Sequence, residues 1–305
     1  MSAAVALVSA RAARAEDEDL PPLVAAFGAA GVQVEIADWD DAGVEWARFD
    51  VALLRSTWDY TQRLPEFLAW AERTATLTRL LNPAPVVRWN ADKHYLQELS
   101  KAGLPVVASA FVEPAMDPQA ALSQFLARES CAELVVKPAV SAGSRDTRRH
   151  ARADRHEALA HLQRLLDAQR SVLLQPYLPA VDAHGETALI FIAGRFSHAI
   201  RKGALLPVGA PATRALFAPE RITPRSAQAD ELEVAERVLA ALPFGVLTYA
   251  RVDLIRDAAH APCLLELELI EPSLFFAHAP GSAAALAAAT LNCLAPPRAD
   301  RAPAS

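Results

Sequence analysis

Polar and apolar residues alternate most clearly between Arg251 and Phe276, RVDLIRDAAHAPCLLELELIEPSLFF. Arg251 to Ile255 has the period of a half-buried strand. Asp257 to Pro262 is small, polar and proline-ended, as a hairpin loop should be. Leu264 to Ile270 alternates again, with Glu266 and Glu268 at its polar positions. Residues two apart on a strand share a face, so Glu266 and Glu268 stand side by side, and pairing across the turn brings Asp253 opposite them. Three carboxylates on one face repel one another and require a compensating cation. Arg251, on the face of Asp253, supplies one charge, and a hard divalent ion with oxygen ligands is the other answer. The competing reading is an exposed hairpin whose outer face is acidic, as in many half-solvated antiparallel sheets.

Upstream, Ala4 to Ser9 reads as a strand, Leu20 to Ala30 as a helix closed by Gly31, and Val32 to Ile36 and Val51 to Leu54 as two more strands. This βαβ order with short connections predicts a small parallel sheet covered by helices. Ligands of such sheets bind beyond the carboxyl ends of the strands. The third strand runs into Arg55-Ser56-Thr57-Trp58-Asp59-Tyr60, which makes Arg55, Ser56, Thr57 and Asp59 candidate substrate contacts. A helix cap at Ser56 or Thr57 among packed aromatics competes with that reading. All five tryptophans lie in the first 90 residues, which marks this lobe as a distinct unit. Asn82-Pro83-Ala84-Pro85 then breaks the chain. Helices are expected from an Asp92 cap through Leu99, over Asp117 to Arg128, Ala158 to Ala168, Glu231 to Leu242 and Ala283 to Ala289. Strands are expected over Val106 to Val112, Glu133 to Pro138 and Ser171 to Gln175, with a hairpin, Thr187 to Ala193 and Arg195 to Ile200, turned at Gly194.

Length and composition narrow the function. A chain of 305 residues has room for two or three lobes around one site. With 52% hydrophobic and 22% charged residues it reads as an ordinary soluble protein, and a net charge of −6 argues against general nucleic-acid binding. No apolar run reaches the roughly 18 residues of a membrane span. Ala3 to Ala10 is short, lacks a basic leader and reads as the first strand rather than a signal peptide. Three widely spaced cysteines, Cys131, Cys263 and Cys293, have no metal-ligand spacing and suggest a reduced, cytoplasmic setting. The Ala-, Pro- and Arg-rich tail from Ala295 is expected to fray.

Several cations stand at strand ends or helix starts. Lys93 lies in the first turn of its expected helix, the unfavourable end of the macrodipole for a cation unless an anion is near. Lys137 closes an apolar strand and precedes the small, polar loop Ala139 to Arg149, AVSAGSRDTRR, an arrangement able to hold phosphates. Arg201-Lys202 ends the Phe196 to Ile200 strand and faces either the same cavity or solvent. The loop Ser141-Ala142-Gly143-Ser144 is not a Walker A loop, and no G-x-G-x-x-G follows the first strand. No G-x-S-x-G elbow or H-E-x-x-H helix is present.

The order of Lys93, the VVKP strand, the small-residue loop, LLQPYLP, the GRFSHAIRK hairpin, then R-V-D and E-L-E resembles the ATP-grasp ligases from about Asn82 to His278. Within them it is similar to the glutathione synthetase-like branch. The segments RSTWDY, RWN-DK and ELELIEPSLF resemble the subgroup that includes the D-cycloserine cyclo-ligase. The resemblance implies an α/β protein with α+β lobes, an ATP-grasp fold preceded by a βαβ lobe. Residues 1–85 would form that lobe, and 86–295 the ATP-grasp region, with a small lobe at about 105–180 and a catalytic lobe at about 181–295; 296–305 would be a flexible tail. It implies that Lys93 and Lys137 contact ATP phosphates under the closing loop Ser141, Ala142, Gly143 and Ser144. Gln175, Pro176, Tyr177 and Leu178 would form the adenine hinge, with Glu186 also on the nucleotide. Asp253, Glu266 and Glu268 would hold Mg²⁺, and Arg201, with Lys202 and Arg251, would stabilise the acyl phosphate and the tetrahedral intermediate. Ser273, with Arg55, Ser56, Thr57 and Asp59, would bind substrate. Two departures stand out: Glu268 occupies a position where the family usually has Asn, and the loop is glycine-poor and followed by Arg145, Arg148 and Arg149. The implied activity is ATP-dependent joining of a carboxylate to a nitrogen nucleophile on a small amino-acid-like substrate, with no nucleic-acid or membrane partner. Ring closure within one molecule, of the O-ureidoserine type, and a non-catalytic nucleotide-binding protein are the alternatives. A homodimer stays open.

Overall fold

A computed structural model describes residues 3–204, 206 and 221–294; the expected tail lies outside them. The N-terminal lobe comprises β1 (Val5–Ser9), α1 (Leu20–Ala29), β2 (Val34–Asp38), β3 (Val51–Leu54), α2 (Leu64–Leu77) and β4 (Arg79–Leu81). Its strands are all parallel, in the order β2-β1-β3-β4. β1 is buried on both faces. Val5 and Leu7 pack with Leu23 and Phe27 of α1, while Ala6 and Val8 pack with Phe67 and Trp70 of α2. An unbroken apolar strand is what a sheet covered on both sides requires.

The proline-rich break is less of a break than it reads. Pro85 sits in the first turn of α3 (Ala84–Asn90), where its missing N–H costs nothing. After α3 come α4 (Tyr95–Lys101), β5 (Ala110–Val112), α5 (Pro118–Arg128), β6 (Glu133–Pro138), β7 (Arg148–Ala151), α6 (Arg155–Asp167) and β8 (Val172–Pro176). They build a small lobe with a sheet in the order β5-β8-β6-β7, backed by α5 and α6. The strand expected from Val106 begins only at Ala110. Pro105 and Val107 are bonded instead to Leu264 of the far sheet, through Leu264 N–H to the Pro105 carbonyl at 2.8 Å and Val107 N–H to the Leu264 carbonyl at 3.0 Å. The end of the segment read as a loop is β7, paired antiparallel to β6.

The remaining elements are α7 (Ala180–His184), β9 (Glu186–Ile192), β10 (Arg195–Lys202), β11 (Ile222–Arg225), α8 (Ala229–Ala240), β12 (Tyr249–Arg256), β13 (Pro262–Glu268) and α9 (Ser282–Asn292). The strands form an antiparallel sheet, β11-β10-β9-β12-β13. Gly185 at the entry to β9 has φ +68°, and a Cβ there would lie 2.3 Å from the Lys202 carbonyl oxygen, so only glycine lets β9 start against β10. One sheet face carries Leu189, Phe191, Val252, Leu254, Leu264 and Leu267, covered by α4 and α8. The other carries Ala188, Ile190, Ile200 and Tyr249, covered by the N-terminal lobe and α9. Beyond that apolar end the second face turns polar, and there the cavity opens.

Asn82 ties the two lobes. It is fully buried; its amide donates to the carbonyls of Tyr249 (2.9 Å) and Leu269 (2.8 Å), and its oxygen accepts from Thr248 N–H at 3.0 Å. Asn82→Ala leaves three buried backbone groups unpaired, each costing about 1–3 kcal/mol. Denaturant unfolding is expected to show a loss of roughly 3 kcal/mol or more; a loss under about 1 kcal/mol would show that the junction is held elsewhere.

Candidate active site

The cavity, about 430 Å³, is lined by residues of all three sheets' lobes, within the range of small-molecule sites. Its floor is built by strand periodicity. Arg251 pairs with Glu268, Asp253 with Glu266, and Lys202 with Glu186, and Asp253 also lies opposite Ala188 on β9. Register and period 2 therefore set Glu186, Lys202, Arg251, Asp253, Glu266 and Glu268 on one face. Asp253, 1% exposed, lies deepest. Arg251 grips it through Nε–Oδ1 at 2.9 Å and Nη2–Oδ2 at 3.0 Å, and Lys202 Nζ reaches Oδ2 at 2.9 Å. Lys202 also meets Glu186 at 3.1 Å, and Arg251 bonds Glu268 and donates to the Ser273 carbonyl at 3.1 Å.

These contacts set the charges. Burial opposes ionisation of Asp253, but Arg251 and Lys202 outweigh it and hold the carboxyl below its ordinary value. Burial likewise opposes Glu266, which Lys93 and Lys137 bring below its ordinary value. Glu268 goes the other way: burial, with Asp253 and Glu266 alongside, pushes it up to about 7 despite Arg251. Lys137 has no ion pair among the described residues, and burial lowers it to about 8.

The small lobe supplies the opposite wall. Lys93 Nζ bonds Glu266 (2.9 Å) and donates to the Ser141 carbonyl (2.8 Å) and hydroxyl (3.1 Å), so it links the floor to the loop. Ser141, Ala142, Gly143 and Ser144 line the cavity, with Gly143 and Ser144 at φ near +60°. Gln175, Pro176, Tyr177 and Leu178 line it at the end of β8. The Tyr177 ring is held from behind by the Arg149 guanidinium, 3.4 Å from its centroid, and its hydroxyl donates to Asp182.

Three expectations need correction. Arg201 is turned away: its guanidinium donates to the carbonyls of His184 (2.6 Å) and Ala183 (2.9 Å), and it does not line the cavity, whereas Lys202 does. The strand continues through Lys202, and alternation puts that residue, not Arg201, over Asp253. Arg55, Ser56, Thr57 and Asp59 do not line the cavity either. Arg55 is 1% exposed and donates to Asp19 and the Pro272 carbonyl, Ser56 bonds Ser9 at 2.8 Å, Thr57 is buried, and Asp59 accepts from Trp39 and Arg63. Arg55, Ser56 and Asp59 brace the strand ends, while Trp58 and Tyr60 of the same segment, and Ser273, line the cavity. Finally, Asp253, Glu266 and Glu268 share a face as expected but are not gathered into a ligand set; no three such groups among the described residues are placed to hold a metal. Asp253 is engaged by two cations and sealed, so of these three carboxylates only Glu266 and Glu268 face the cavity.

Sequence reasoning missed Glu16, Asp17, Glu18 and Asp19, which line the cavity after β1, and Glu271, Phe275 and His278 beyond β13. The signal was present: four consecutive carboxylates at the carboxyl end of a parallel strand stand where such sheets bind ligands.

A mixed α/β chain whose antiparallel sheet presents a carboxylate-and-cation floor, faced by a small lobe with a lysine-bearing strand and loop, has the architecture of an ATP-grasp ligase. Solved structures agree. The ATP-grasp ligase PsnB, complexed with its minimal precursor, shares the fold at a TM-score of 0.63 and 21% identity, over 96% of this chain and 99% of that one. D-cycloserine synthetase DcsG superposes at a TM-score of 0.90 with 39% identity, over 96% of this chain and all of that one. The cycloserine biosynthesis protein DcsG of Streptomyces lavendulae is 42% identical over 280 residues, 88% of this chain and 92% of that protein. Residues 5–82 match the family described as the N-terminal domain of D-cycloserine synthetase DcsG. The chain belongs to the DcsG family of ATP-grasp ligases.

Glu271 gives a direct test of the site's electrostatics. Burial, with Glu268 nearby, pushes it from 4.5 up to about 8, against a hydrogen bond from Tyr60. A carboxyl raised on folding stabilises the native state at low pH, and that contribution is lost as pH climbs from the unfolded value through the folded one. The thermal midpoint of Glu271→Gln, relative to wild type, is therefore expected to rise steadily between pH 5 and pH 8. A difference that does not change with pH would show that Glu271 titrates normally.

Proposed function

We propose that the protein uses ATP to activate the carboxyl group of a small amino-acid-like substrate and forms a C–N bond to a nitrogen nucleophile, releasing ADP and phosphate. The observation that carries this is one cavity with two kinds of wall. Lys93, Lys137, the Ser141–Ser144 loop and the Gln175–Leu178 segment fit a nucleotide, and the N-terminal lobe closes the remaining side around a small acceptor. Lys137, poorly hydrated where it stands, gains a partner when a polyphosphate arrives. The substrate carboxylate would attack the γ-phosphorus, with ADP leaving. The nitrogen would then attack the acyl carbon, with inorganic phosphate leaving. Lys202 and Arg251, fixed by Asp253, are positioned to offset negative charge as the oxyanion develops. Glu266 and Glu268 would hold Mg²⁺, which supplies charge neutralisation at the β- and γ-phosphates. A closed loop would keep water from the acyl phosphate.

The likeness to DcsG favours the nitrogen and the carboxyl belonging to one molecule, so that the product is a ring. The test is ADP release with O-ureidoserine as sole co-substrate. Turnover that needs no second nitrogen compound supports ring closure. Turnover only with an added amine would support joining of two molecules, and none with either would remove the ligase reading.

Lys202→Ala is expected to lower kcat by about 10²-fold or more with little change in ADP affinity, as loss of one charge-stabilising donor does. Arg201→Ala is expected to stay near wild type. The reverse pattern would mean that β10 sits one residue out of register.

A further inference from the structure

The arginines that follow the loop are divided by β7 between two faces of its sheet. Arg148 pairs with Glu157 of α6 at 3.5 Å. Arg149 lies opposite Val135 of β6, and Val135 opposite Gln175 of β8. Period 2 adds Glu133 and Tyr177 to that second face, side by side, with Tyr177 N–H donating to the Glu133 carbonyl at 2.9 Å. Tyr177 lines the cavity and Arg149 does not. The Arg149 guanidinium covers one face of the Tyr177 ring, 3.4 Å from its centroid. It is fixed there by the Glu133 carboxylate, by both oxygens of Asp182 at 3.4 and 3.5 Å, and by the Leu206 carbonyl at 3.4 Å. Asp182 in turn accepts from the Tyr177 hydroxyl. Ring, guanidinium and carboxylate form a closed triangle, so Tyr177 cannot turn without breaking a contact. Toward the cavity Tyr177 packs with Val107, Val135, Val181, Ile255 and Leu265, an uncharged group that suits a flat heterocycle.

We propose that Arg149 is a positioning residue for nucleotide binding, holding the Tyr177 ring in place as a wall for the base; this rests on the nucleotide reading of the cavity. Arg149 does not touch the nucleotide. It removes, before binding, the rotamer freedom that Tyr177 would otherwise lose when the base arrives. Thr147, which lines the cavity, immediately precedes β7, so the phosphate loop ends on the strand that carries this support.

The experiment measures Mg-ADP affinity for wild type, Arg149→Ala, Tyr177→Ala and the double variant, at about 0.15 M salt, where distant charges are screened. Thermal midpoints are measured alongside. Arg149→Ala is expected to weaken Mg-ADP by about 10-fold, the size of a lost cation–π contact and one newly freed side chain. In the Tyr177→Ala background the same change is expected to cost less than about 2-fold, because the group through which Arg149 acts is gone. Equal losses in the two backgrounds overturn the proposal, since a merely structural role weakens binding with or without Tyr177. An Arg149→Ala protein that binds Mg-ADP as wild type does, with only its midpoint lowered, overturns it too. If Arg149→Ala does not fold, Arg149→Lys takes its place in both backgrounds. Lysine keeps the charge but lacks the planar face and the fork, and is expected to lose at least about 3-fold in affinity; wild-type affinity there also overturns the proposal. A wild type that binds no Mg-ADP removes the nucleotide reading itself, an outcome distinct from binding that is indifferent to Arg149.

Discussion

Asp253 is a carboxylate on a central strand, almost wholly removed from water, and the arrangement of the cavity follows from how it is neutralised. A buried charge survives only with close partners. Arg251 and Lys202 supply them from the same face of the sheet. Both cations are then fixed at the floor, each with a second carboxylate, Glu268 for Arg251 and Glu186 for Lys202. Lys93 pairs with Glu266 in the same way. With Lys137, four cations face four carboxylates, Glu186, Asp253, Glu266 and Glu268. Counted as fully ionised such a floor carries no net charge, and the proton that Glu268 partly retains near pH 7 leaves it only weakly positive toward a nucleotide polyanion. Of these four carboxylates Glu268 is the one reluctant to ionise, so an arriving cation would displace its proton first.

The surrounding fold holds this floor at the meeting point of three sheets. The N-terminal lobe covers the apolar end of the same sheet face, and its loop after β1 is drawn to the far side of the cavity by Asp19, which binds three successive backbone N–H groups at 274–276. Arg55 reinforces the joint from below through Asp19 and the Pro272 carbonyl. A segment that reads as a ligand loop is thus a clamp, and the loop that it clamps lines the cavity.

What the sequence revealed and concealed has a physical pattern. The β12–β13 hairpin was legible because one of its faces is polar and the other apolar, so alternation fixed which residues stand together. β10 was not, because both its faces are buried: Ala199 packs on one side and Ile200 on the other. Nothing in FSHAIRK says whether Arg201 or Lys202 enters the cavity. RSTWDY misled for the opposite reason. Polar residues suggest exposure, yet Arg55, Ser56 and Thr57 are buried, and Arg55 and Ser56 are braced by contacts from distant segments. The fold class was open to reading from strand order and the run of motifs. The acidic wall was signalled by four consecutive carboxylates after β1, Glu16 to Asp19, but the side of the cavity they take is set by the tertiary placement of their loop.

If Glu268 keeps a proton in the crowded floor until a nucleotide and its metal ion bind, binding must release that proton. Calorimetric titration of Mg-ADP into the apo protein at pH 7, in buffers of different ionisation enthalpy, counts that proton directly. With Glu268 near 7, net proton release on binding is expected, and its loss in Glu268→Gln. Binding with no proton release, or release undiminished in that variant, would contradict it.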